Sequence, residues 1–250
     1  MGRIEGKTAI VTGGAQGLGK EICLTLAGEG ADVFILDLNE KKANIVADEI
    51  IGKKKKSKAY RVDITNSDGV NAAIHSIIQQ EGKVDILVNN AGKASAHENI
   101  LSVSDEIWAE EIAINLTGSF YCCRGVLRKM IEQKSGKIIN ISSIAADTGR
   151  PQTSPAYSAA KAGIYGLTMS MAKSVAKYGI NINAICPGVI LTGIHDSYPK
   201  EALDELLSEI PYSRNGKPKD IANTVLFLAS EASDYITGAR IRVNGGSWMG

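Results

Sequence analysis

The chain has 250 residues, of which 44% are hydrophobic and 22% are charged, and its formal net charge is +1. This is the composition of a soluble globular protein that can bury a large core within one domain. The near-zero charge supplies no bulk positive field that would attract nucleic acid or an anionic membrane. The basic run 53–56 with Lys58 carries no interleaved aromatic residues, so we interpret it as a solvated loop.

The four cysteines form neither a Cys-x-x-Cys pair nor a cluster with histidine; they are Cys23, Cys122, Cys123 and Cys186. This spacing favours packed, reduced thiols over a metal site or a disulfide framework. The start of the chain lacks an apolar signal core, and no apolar run approaches membrane-spanning length. We therefore expect a cytoplasmic protein without a bound metal.

A glycine-rich stretch follows the first predicted strand. The apolar run 8–11 ends in Gly13, Gly17 and Gly19, and a helical pattern with Ile22 and Leu26 begins at once. Strand, glycine turn and helix together are typical of a phosphate site, since glycine lets the backbone approach a pyrophosphate at the positive end of a helix. A plain tight turn is the alternative.

An acidic residue ends the second predicted strand. Asp37 closes the run 32–37, 18 positions after Gly19, where a βαβ unit places a carboxylate against an adenosine ribose diol. The same carboxylate would repel a 2′-phosphate, and Gln16 and Leu38 stand where a compensating cation could be. The pattern favours NAD over NADP; an Asp that only caps the next helix is the alternative.

Strands and helices alternate along the whole chain, which predicts an α/β fold with a doubly wound parallel sheet. Further strands are expected at 59–62, 84–88, 137–141, 180–185 and 239–243, and helices at 40–51, 70–80, 104–132, 156–178 and 218–228. Ligands bind at the carboxyl ends of such strands, where Asp63 and Asn90 also fall. The irregular segment 193–217 is expected to be a lid or substrate loop.

Tyr157 and Lys161 are four residues apart in a helical run and therefore share one face. A nearby ammonium favours the phenolate, although lowering a phenol pKa from about 10 to about 7 requires about 4 kcal/mol. The spacing also arises easily by chance. Ser142 and Ser143 end the fifth strand. Asn115 lies at the middle of the predicted helix 104–132, where core hydrogen bonding and a catalytic role are equally expected.

These residues form an ordered series that resembles the short-chain dehydrogenase/reductase family from end to end. The series comprises Thr12-Gly13-xxx-Gly17-x-Gly19, Asp63, Asn89-Asn90-Ala91-Gly92, Asn115, Ser143, Tyr157-xxx-Lys161, Pro187-Gly188 with Thr192, and Asn244-Gly245-Gly246. Within the family the chain is most similar to 3-oxoacyl-carrier-protein reductases. The resemblance implies a single Rossmann-type domain over 1–250 with seven parallel strands. It also implies a cofactor half at 1–92, a catalytic half at 93–250 and a homotetramer.

The resemblance further implies a role for each matching residue. Tyr157 would be the general acid/base, Lys161 would lower its pKa and bind the nicotinamide ribose, and Ser143 would polarise the substrate oxygen. Asn115 would hold a water that links Lys161 to solvent. The remaining cofactor contacts would come from Gly13, Gln16, Gly17, Leu18, Gly19, Asp37, Leu38, Asp63, Ile64, Asn90, Ala91, Gly92, Pro187, Gly188, Ile190 and Thr192.

Two features depart from the family pattern. The interval from Ser143 to Tyr157 is 14 residues where 13 is common, which predicts a longer loop and keeps Ser142 as a less favoured alternative. Carrier-protein reductases usually favour NADPH, whereas Asp37 indicates NAD. We therefore expect an NAD-dependent dehydrogenase acting on a secondary alcohol or ketone. A 3-oxoacyl thioester reductase is the second hypothesis, and a non-catalytic nucleotide-binding regulator is the third.

Eight residues are candidates for lining a substrate pocket, and each is equally expected to be a surface or packing residue: Lys93, Ser95, His97, Ala145, Gln152, Gly188, His195 and Tyr198.

Overall fold

The computed structural model describes residues 2–95, 100–149, 153–191, 207–208, 210–212 and 214–250. Strands and helices alternate within these ranges. Their bounds are β1 Thr8–Thr12, α1 Gly17–Gly28, β2 Asp32–Asp37, α2 Glu40–Gly52, β3 Ser57–Arg61, α3 Ser67–Glu81, β4 Ile86–Asn89, α4 Asp105–Ile112, α5 Gly118–Gln133, β5 Gly136–Ile141, α6 Ala145–Thr148, α7 Pro155–Val175, β6 Ile180–Pro187, α8 Pro218–Ala229 and β7 Arg240–Val243.

The strands of the described ranges form one sheet of seven in the order β3-β2-β1-β4-β5-β6-β7, and each neighbouring pair is parallel. The predicted Rossmann-type, doubly wound parallel sheet is thus confirmed. The strand order reverses between β1 and β4, because the chain returns past β1 after β3. A crevice opens at such a reversal, outside the carboxyl ends of the strands.

Helices cover both faces of the sheet, so successive strand residues alternate between two cores. Ala9 and Val11 point to the core shared by α1, α2 and α8, whereas Ile10 points to the core shared by α3, α5 and α7. Both faces of a parallel sheet are buried in this way, which explains the nearly continuous apolar runs in the strands. In the described residues, no helix is long and apolar enough to cross a membrane.

The predicted long helix 104–132 is not a single α-helix. Between α4 and α5 the backbone forms a π-helical turn over Ala113–Thr117, which contains Asn115. The amide of Asn115 donates to the carbonyl oxygens of Glu111 at 3.0 Å and of Lys93 at 2.7 Å. A single π-helical turn inside an α-helix often occurs at a functional site. The prediction of an uninterrupted helix was therefore wrong at its centre.

The predicted loop between Ser143 and Tyr157 contains the short helix α6. Asp147 in this helix pairs with Arg240 at 2.5 Å and with Arg242 at 3.3 Å, and both arginines lie on β7. This carboxylate side chain is only 10% exposed. The pairs tie the segment after β5 to the edge strand of the sheet.

The four cysteines are free thiols and all are buried, as predicted for reduced, packed residues. The predicted basic loop is spanned by ion pairs: Lys53 pairs with Glu49 at 3.6 Å, Lys55 with Glu5 at 2.6 Å and Lys56 with Glu81 at 3.1 Å. No group of metal-ligating side chains occurs among the described residues.

Candidate active site

A cleft of about 1200 Å³ runs along the carboxyl edge of the sheet. It is lined by nearly all the residues that the sequence had placed at a site: Gly13, Gln16, Gly17, Leu18, Gly19, Asp37, Leu38, Asp63, Ile64, Asn90, Ala91, Gly92, Ser143, Tyr157, Lys161, Pro187, Gly188 and Ile190. Asn115 lies behind the cleft wall and is fully buried. Thr192 lies outside the described residues.

The glycine turn between β1 and α1 leaves no room for side chains. A Cβ on Gly19 would stand 2.0 Å from the carbonyl oxygen of Gly13, and one on Gly13 would stand 2.8 Å from the Cα of Ala91. Gly13 and Gly17 also have positive φ angles of 65° and 53°, which favour glycine. Helix α1 begins at Gly17 without a side-chain cap from Gln16. Its first N–H groups are therefore available to an anion.

Hydrogen bonds from the end of β4 hold the glycine turn in place. The side-chain amide of Asn90 donates to the carbonyl oxygens of Thr12 and Gly13, both at 3.0 Å. The hydroxyl oxygen of Thr12 in turn accepts the N–H groups of Asn90 and Ala91, both at 3.0 Å. These four bonds bridge the two strands at the strand-order reversal.

Asp37 lies at the end of β2 and faces the cleft. Its carboxylate accepts N–H bonds from Ala15 at 3.0 Å and from Asn39 at 2.8 Å, so the backbone fixes its orientation. Helix α2 is capped by Asn39 rather than by Asp37. A cation is nearby, because the Lys42 ammonium donates to the Gln16 side chain at 2.9 Å. The sequence pattern gave no indication of this cation, because Lys42 lies on α2 and not beside Asp37 in the chain.

Lys161 is buried, with only 4% of its surface exposed. Its ammonium donates to the carbonyl oxygen of Ile141 at 2.9 Å and lies 5.7 Å from the ring centroid of Tyr157. Burial lowers the pKa of this ammonium to about 8, since removing a charge from water disfavours the charged form. Tyr157 is half-buried in the first turn of α7, whose N-terminus is capped by the Ser154 hydroxyl.

The two serines at the end of β5 have different surroundings. The Ser142 hydroxyl is buried and donates to the carbonyl oxygen of Lys161 at 2.7 Å, which fixes α7 against β5. Ser143 faces the cleft, and its hydroxyl oxygen accepts the N–H of Ala145 at 3.1 Å. An accepting contact leaves the Ser143 proton for another oxygen. The geometry therefore favours Ser143 over Ser142 as the hydroxyl that meets a ligand.

Asn115 and Lys161 converge behind Gly92. A Cβ on Gly92 would stand 2.8 Å from the Oδ1 of Asn115 and 3.3 Å from the Nζ of Lys161. Asn115 Oδ1 accepts the N–H of Lys93 at 3.1 Å, so its side chain pairs with both backbone groups of that residue. Core hydrogen bonding and proximity to the site thus coexist at Asn115.

The chain is similar to known proteins over nearly its whole length. A family model described as enoyl-(acyl carrier protein) reductase matches residues 13–247. A 3-oxoacyl-[acyl-carrier-protein] reductase FabG of Staphylococcus aureus is 41% identical, covering 97% of this chain and 98% of the relative. The Thermotoga maritima protein of the same name is 38% identical over 98% of each chain.

The chain belongs to the short-chain dehydrogenase/reductase family. A solved structure, that of gox2181, has a TM-score of 0.94 and 36% identity, and the match covers 98% of this chain and 96% of that one. The resemblance predicted from the ordered motifs is thus confirmed. As a family member the chain is an oxidoreductase that acts on CH–OH or keto groups.

The cleft fits the nicotinamide dinucleotide that short-chain dehydrogenases use. The glycine backbone that lines the cleft at Gly13, Gly17 and Gly19, together with the uncapped start of α1, suits a pyrophosphate. The oriented carboxylate of Asp37 suits a ribose diol. Asp63 and Ile64 line the cleft on the same side.

Glu111, near the site, was not singled out by the sequence; its carboxylate accepts the N–H of Ser95. Thr12 and Ser142 were named from the sequence, but only the structure shows that their hydroxyls bond to backbone groups of the cleft wall. Of the expected pocket residues, Lys93, Ala145 and Gly188 line the cleft, whereas Ser95 does not. The others lie outside the described residues: His97, Gln152, His195 and Tyr198.

Proposed function

We propose that this oxidoreductase interconverts a secondary alcohol and a ketone with NAD(H), using Tyr157 as general acid/base. The observation that carries the proposal is that Tyr157, Lys161 and Ser143 face one cleft whose other end has a phosphate cradle and an acidic strand end. When bound, the cofactor supplies or accepts the hydride. The protein must then supply donors toward the oxygen on which charge develops.

Each of the four residues has a distinct task in the proposal. Tyr157 gives its phenolic proton to the carbonyl oxygen during reduction, and Ser143 donates a second hydrogen bond to that oxygen. Lys161 favours the phenolate by its charge and binds the nicotinamide ribose. Asn115 fixes the backbone at Lys93, and its own segment holds the water that links Lys161 to solvent.

The proposed cofactor contacts follow the length of the cleft. Gly13, Gly17, Leu18 and Gly19 hold the pyrophosphate, and Asp37 holds the adenosine ribose with Gln16 and Leu38 beside it. Further contacts are assigned to Asp63, Ile64, Asn90, Ala91, Gly92, Pro187, Gly188 and Ile190. The assignment of Thr192 to the nicotinamide carboxamide, and of 193–217 to a substrate loop, rests on the sequence.

NAD is proposed over NADP because the carboxylate of Asp37 would face a 2′-phosphate. Lys42 weakens this argument, since its ammonium lies within reach of the same end of the cleft. Two opposite charges therefore compete at the ribose position. Asp37 is fixed by two backbone bonds, whereas Lys42 is held by a single exposed contact, so the carboxylate is expected to dominate.

The cofactor preference can be measured directly. We expect the wild type to have a higher kcat/KM with NADH than with NADPH. Replacing Asp37 by Ala together with Leu38→Arg should shift the ratio toward NADPH by about tenfold or more, because a repulsive charge is exchanged for an attractive one. Lys42→Ala is the control and should reduce NADPH use without affecting NADH. A wild type that prefers NADPH would show that the ribose argument is wrong.

A 3-oxoacyl thioester reductase is the second candidate. It is favoured by the relatives in Staphylococcus aureus and Thermotoga maritima, whose names state this activity, and by coverage of nearly their full length. Such a substrate is itself a ketone that becomes a secondary alcohol, so the two candidates share one mechanism. Comparing acetoacetyl-CoA with simple ketones and secondary alcohols as substrates distinguishes them.

Replacement of the phenol tests the chemical assignment. Tyr157→Phe should lower kcat by about 10²-fold to 10⁴-fold, the usual contribution of a general acid. The Kd for NADH should change little, because the ring and Lys161 remain. Turnover at the wild-type rate would exclude Tyr157 as the acid/base.

We also propose a homo-oligomer that works in the cytoplasm. Helix α7 exposes small residues at Ala159, Ala162 and Gly166 beside exposed Met169 and Phe120, a combination suited to close helix packing between copies. Free thiols suit a reducing compartment. Light scattering after gel filtration measures the mass; a tetramer is expected, and a monomer would contradict the proposal.

A further inference from the structure

Glu111 is a carboxylate where an apolar side chain would be expected. It is 0% exposed and is the one buried residue in α4, whose other residues are exposed or half-buried. A buried carboxylate is costly unless hydrogen-bonded or paired with a cation. Its presence indicates a specific contact.

That contact is with the backbone that follows β4. Oε1 of Glu111 accepts the N–H of Ser95 at 2.7 Å. Four residues later on the same helical face, Asn115 pairs with the backbone of Lys93. The side chains of Asn115 and Glu111 therefore hydrogen-bond to the backbone of residues 93 and 95, respectively, and hold that segment against the helix.

The same backbone continues to the start of α7. The carbonyl oxygen of Ser95 accepts the N–H of Ser154 at 3.2 Å. The hydroxyl of Ser154, the N-cap of α7, accepts the N–H of Ala156 at 3.1 Å, and its carbonyl oxygen accepts the N–H of Tyr157 at 3.0 Å. Glu111 is thus joined to the helical turn that bears Tyr157 by one side-chain hydrogen bond and two backbone hydrogen bonds.

The second carboxylate oxygen of Glu111, Oε2, has no hydrogen-bond partner among the described residues. Among those residues, the hydrogen bond to the Ser95 N–H is therefore the one that the Glu111 carboxylate makes.

We propose that Glu111 is a positioning residue for the reaction: it anchors Ser95, and through Ser95 and Ser154 it fixes the first turn of α7 and so the phenol of Tyr157. The proposal rests on the function proposed above for Tyr157. It assigns to Glu111 no contact with substrate or cofactor. A phenol displaced by a fraction of an ångström from its acceptor lowers the rate without affecting cofactor affinity.

Two kinds of substitution separate positioning from packing. Glu111→Gln retains an oxygen that can accept the Ser95 N–H. Glu111→Met has a similar length but no acceptor, and Glu111→Leu is a second apolar variant in case the first does not fold. Glu132→Leu is the matched control, because Glu132 is exposed on α5 and pairs only with Arg128 among the described residues.

The measurements are kcat for acetoacetyl-CoA with NADH, the Kd for NADH, the thermal midpoint, and hydrogen exchange of peptides covering 93–95 and 154–157. The Met variant should lose about tenfold or more in kcat. Its exchange should be faster in both peptides, while its Kd stays within about twofold. Any decrease in its thermal midpoint should be small, since only the Ser95 N–H loses its acceptor. The Gln variant and the control should resemble the wild type in all four.

Outcomes that overturn the proposal are equally defined. A kcat for the folded apolar variants within about twofold of the wild type, or a Gln variant as impaired as Met, excludes the positioning role. Unchanged exchange in both peptides excludes the anchor itself. Hydrogen exchange is measured without turnover. If Tyr157→Phe remains active, the function proposed for Tyr157 is wrong, but the exchange data still show whether Glu111 anchors Ser95.

Discussion

Burial of Lys161 makes its charge a determinant of stability as well as of chemistry. The pKa of the ammonium is lowered to about 8 in the native state, whereas an unfolded chain has a lysine pKa of about 10.4. Between these values the unfolded chain binds more protons than the native one. The contribution of Lys161 to the unfolding free energy therefore rises with pH across this window.

The rise can be isolated by comparison with Lys161→Met. From pH 7.5 to 9.5 the unfolding free energy of the wild type should increase by about 2 kcal/mol relative to the variant. Urea unfolding at the two pH values measures it. A constant difference would mean that Lys161 keeps an ordinary pKa despite its burial.

Some site residues could be predicted from the sequence because their partners lie close to them in the chain. Others could not, because their partners lie far away in the chain. Tyr157 and Lys161 are neighbours on one helix, so their spacing alone put them together. Glu111 lies among other acidic residues in 105–111, a pattern typical of an exposed helix. Its burial depends on Ser95, 16 residues earlier, and no local pattern contains that contact.

Two glycines of helix α1 differ in the space around them, so their alanine variants can be compared directly. A Cβ on Gly19 would collide with the Gly13 carbonyl oxygen, whereas one on Gly28 would meet nothing within 4 Å. Gly19→Ala should raise the Kd for NADH by about tenfold or more and destabilise the fold by about 1–3 kcal/mol, as overpacking does. Gly28→Ala should leave the Kd unchanged. Calorimetric titration and thermal unfolding measure both.

If the two variants bind NADH equally well, the glycine turn is not the phosphate cradle.

Elements with a clear hydrophobic period were predicted to within a few residues, as β2 and α2 illustrate. The π turn at Asn115 was not predicted. The side chain of Asn115 bonds to the backbone of Lys93, 22 residues away, and no local pattern contains that contact. Helix α6 was also missed, since four residues contain little more than one helical turn and give no periodic signal.

At the scale of the whole molecule, the position of the cleft followed from connectivity. Alternating strands and helices require parallel strands whose carboxyl ends lie at one edge of the sheet. The sequence therefore predicted that the polar residues at the ends of separate strands lie close together. The shape of the cleft could not be predicted in this way. It depends on side chains such as Thr12 and Ser142 that fix one element against another.

The buried thiols provide a test of the intact fold. Burial raises the pKa of Cys23, Cys122, Cys123 and Cys186, and the thiolate is the reactive form. Fewer than about one thiol per chain should react with Ellman's reagent in buffer, and about four should react in guanidinium chloride. Fast labelling of a native thiol would show that its surroundings open readily.

Packing between α1 and α8 determines when the chain can become stable during its synthesis. Ile22 and Leu26 of α1 share one core with Ile221 and Val225 of α8, and Lys219 pairs with Glu21 at 3.3 Å. Nearly 200 residues separate these partners. A growing chain therefore exposes an apolar face of the first βαβ unit to solvent until residue 229 has left the ribosome. Nascent chains that lack α8 are expected to be clients of chaperones that recognise apolar surface.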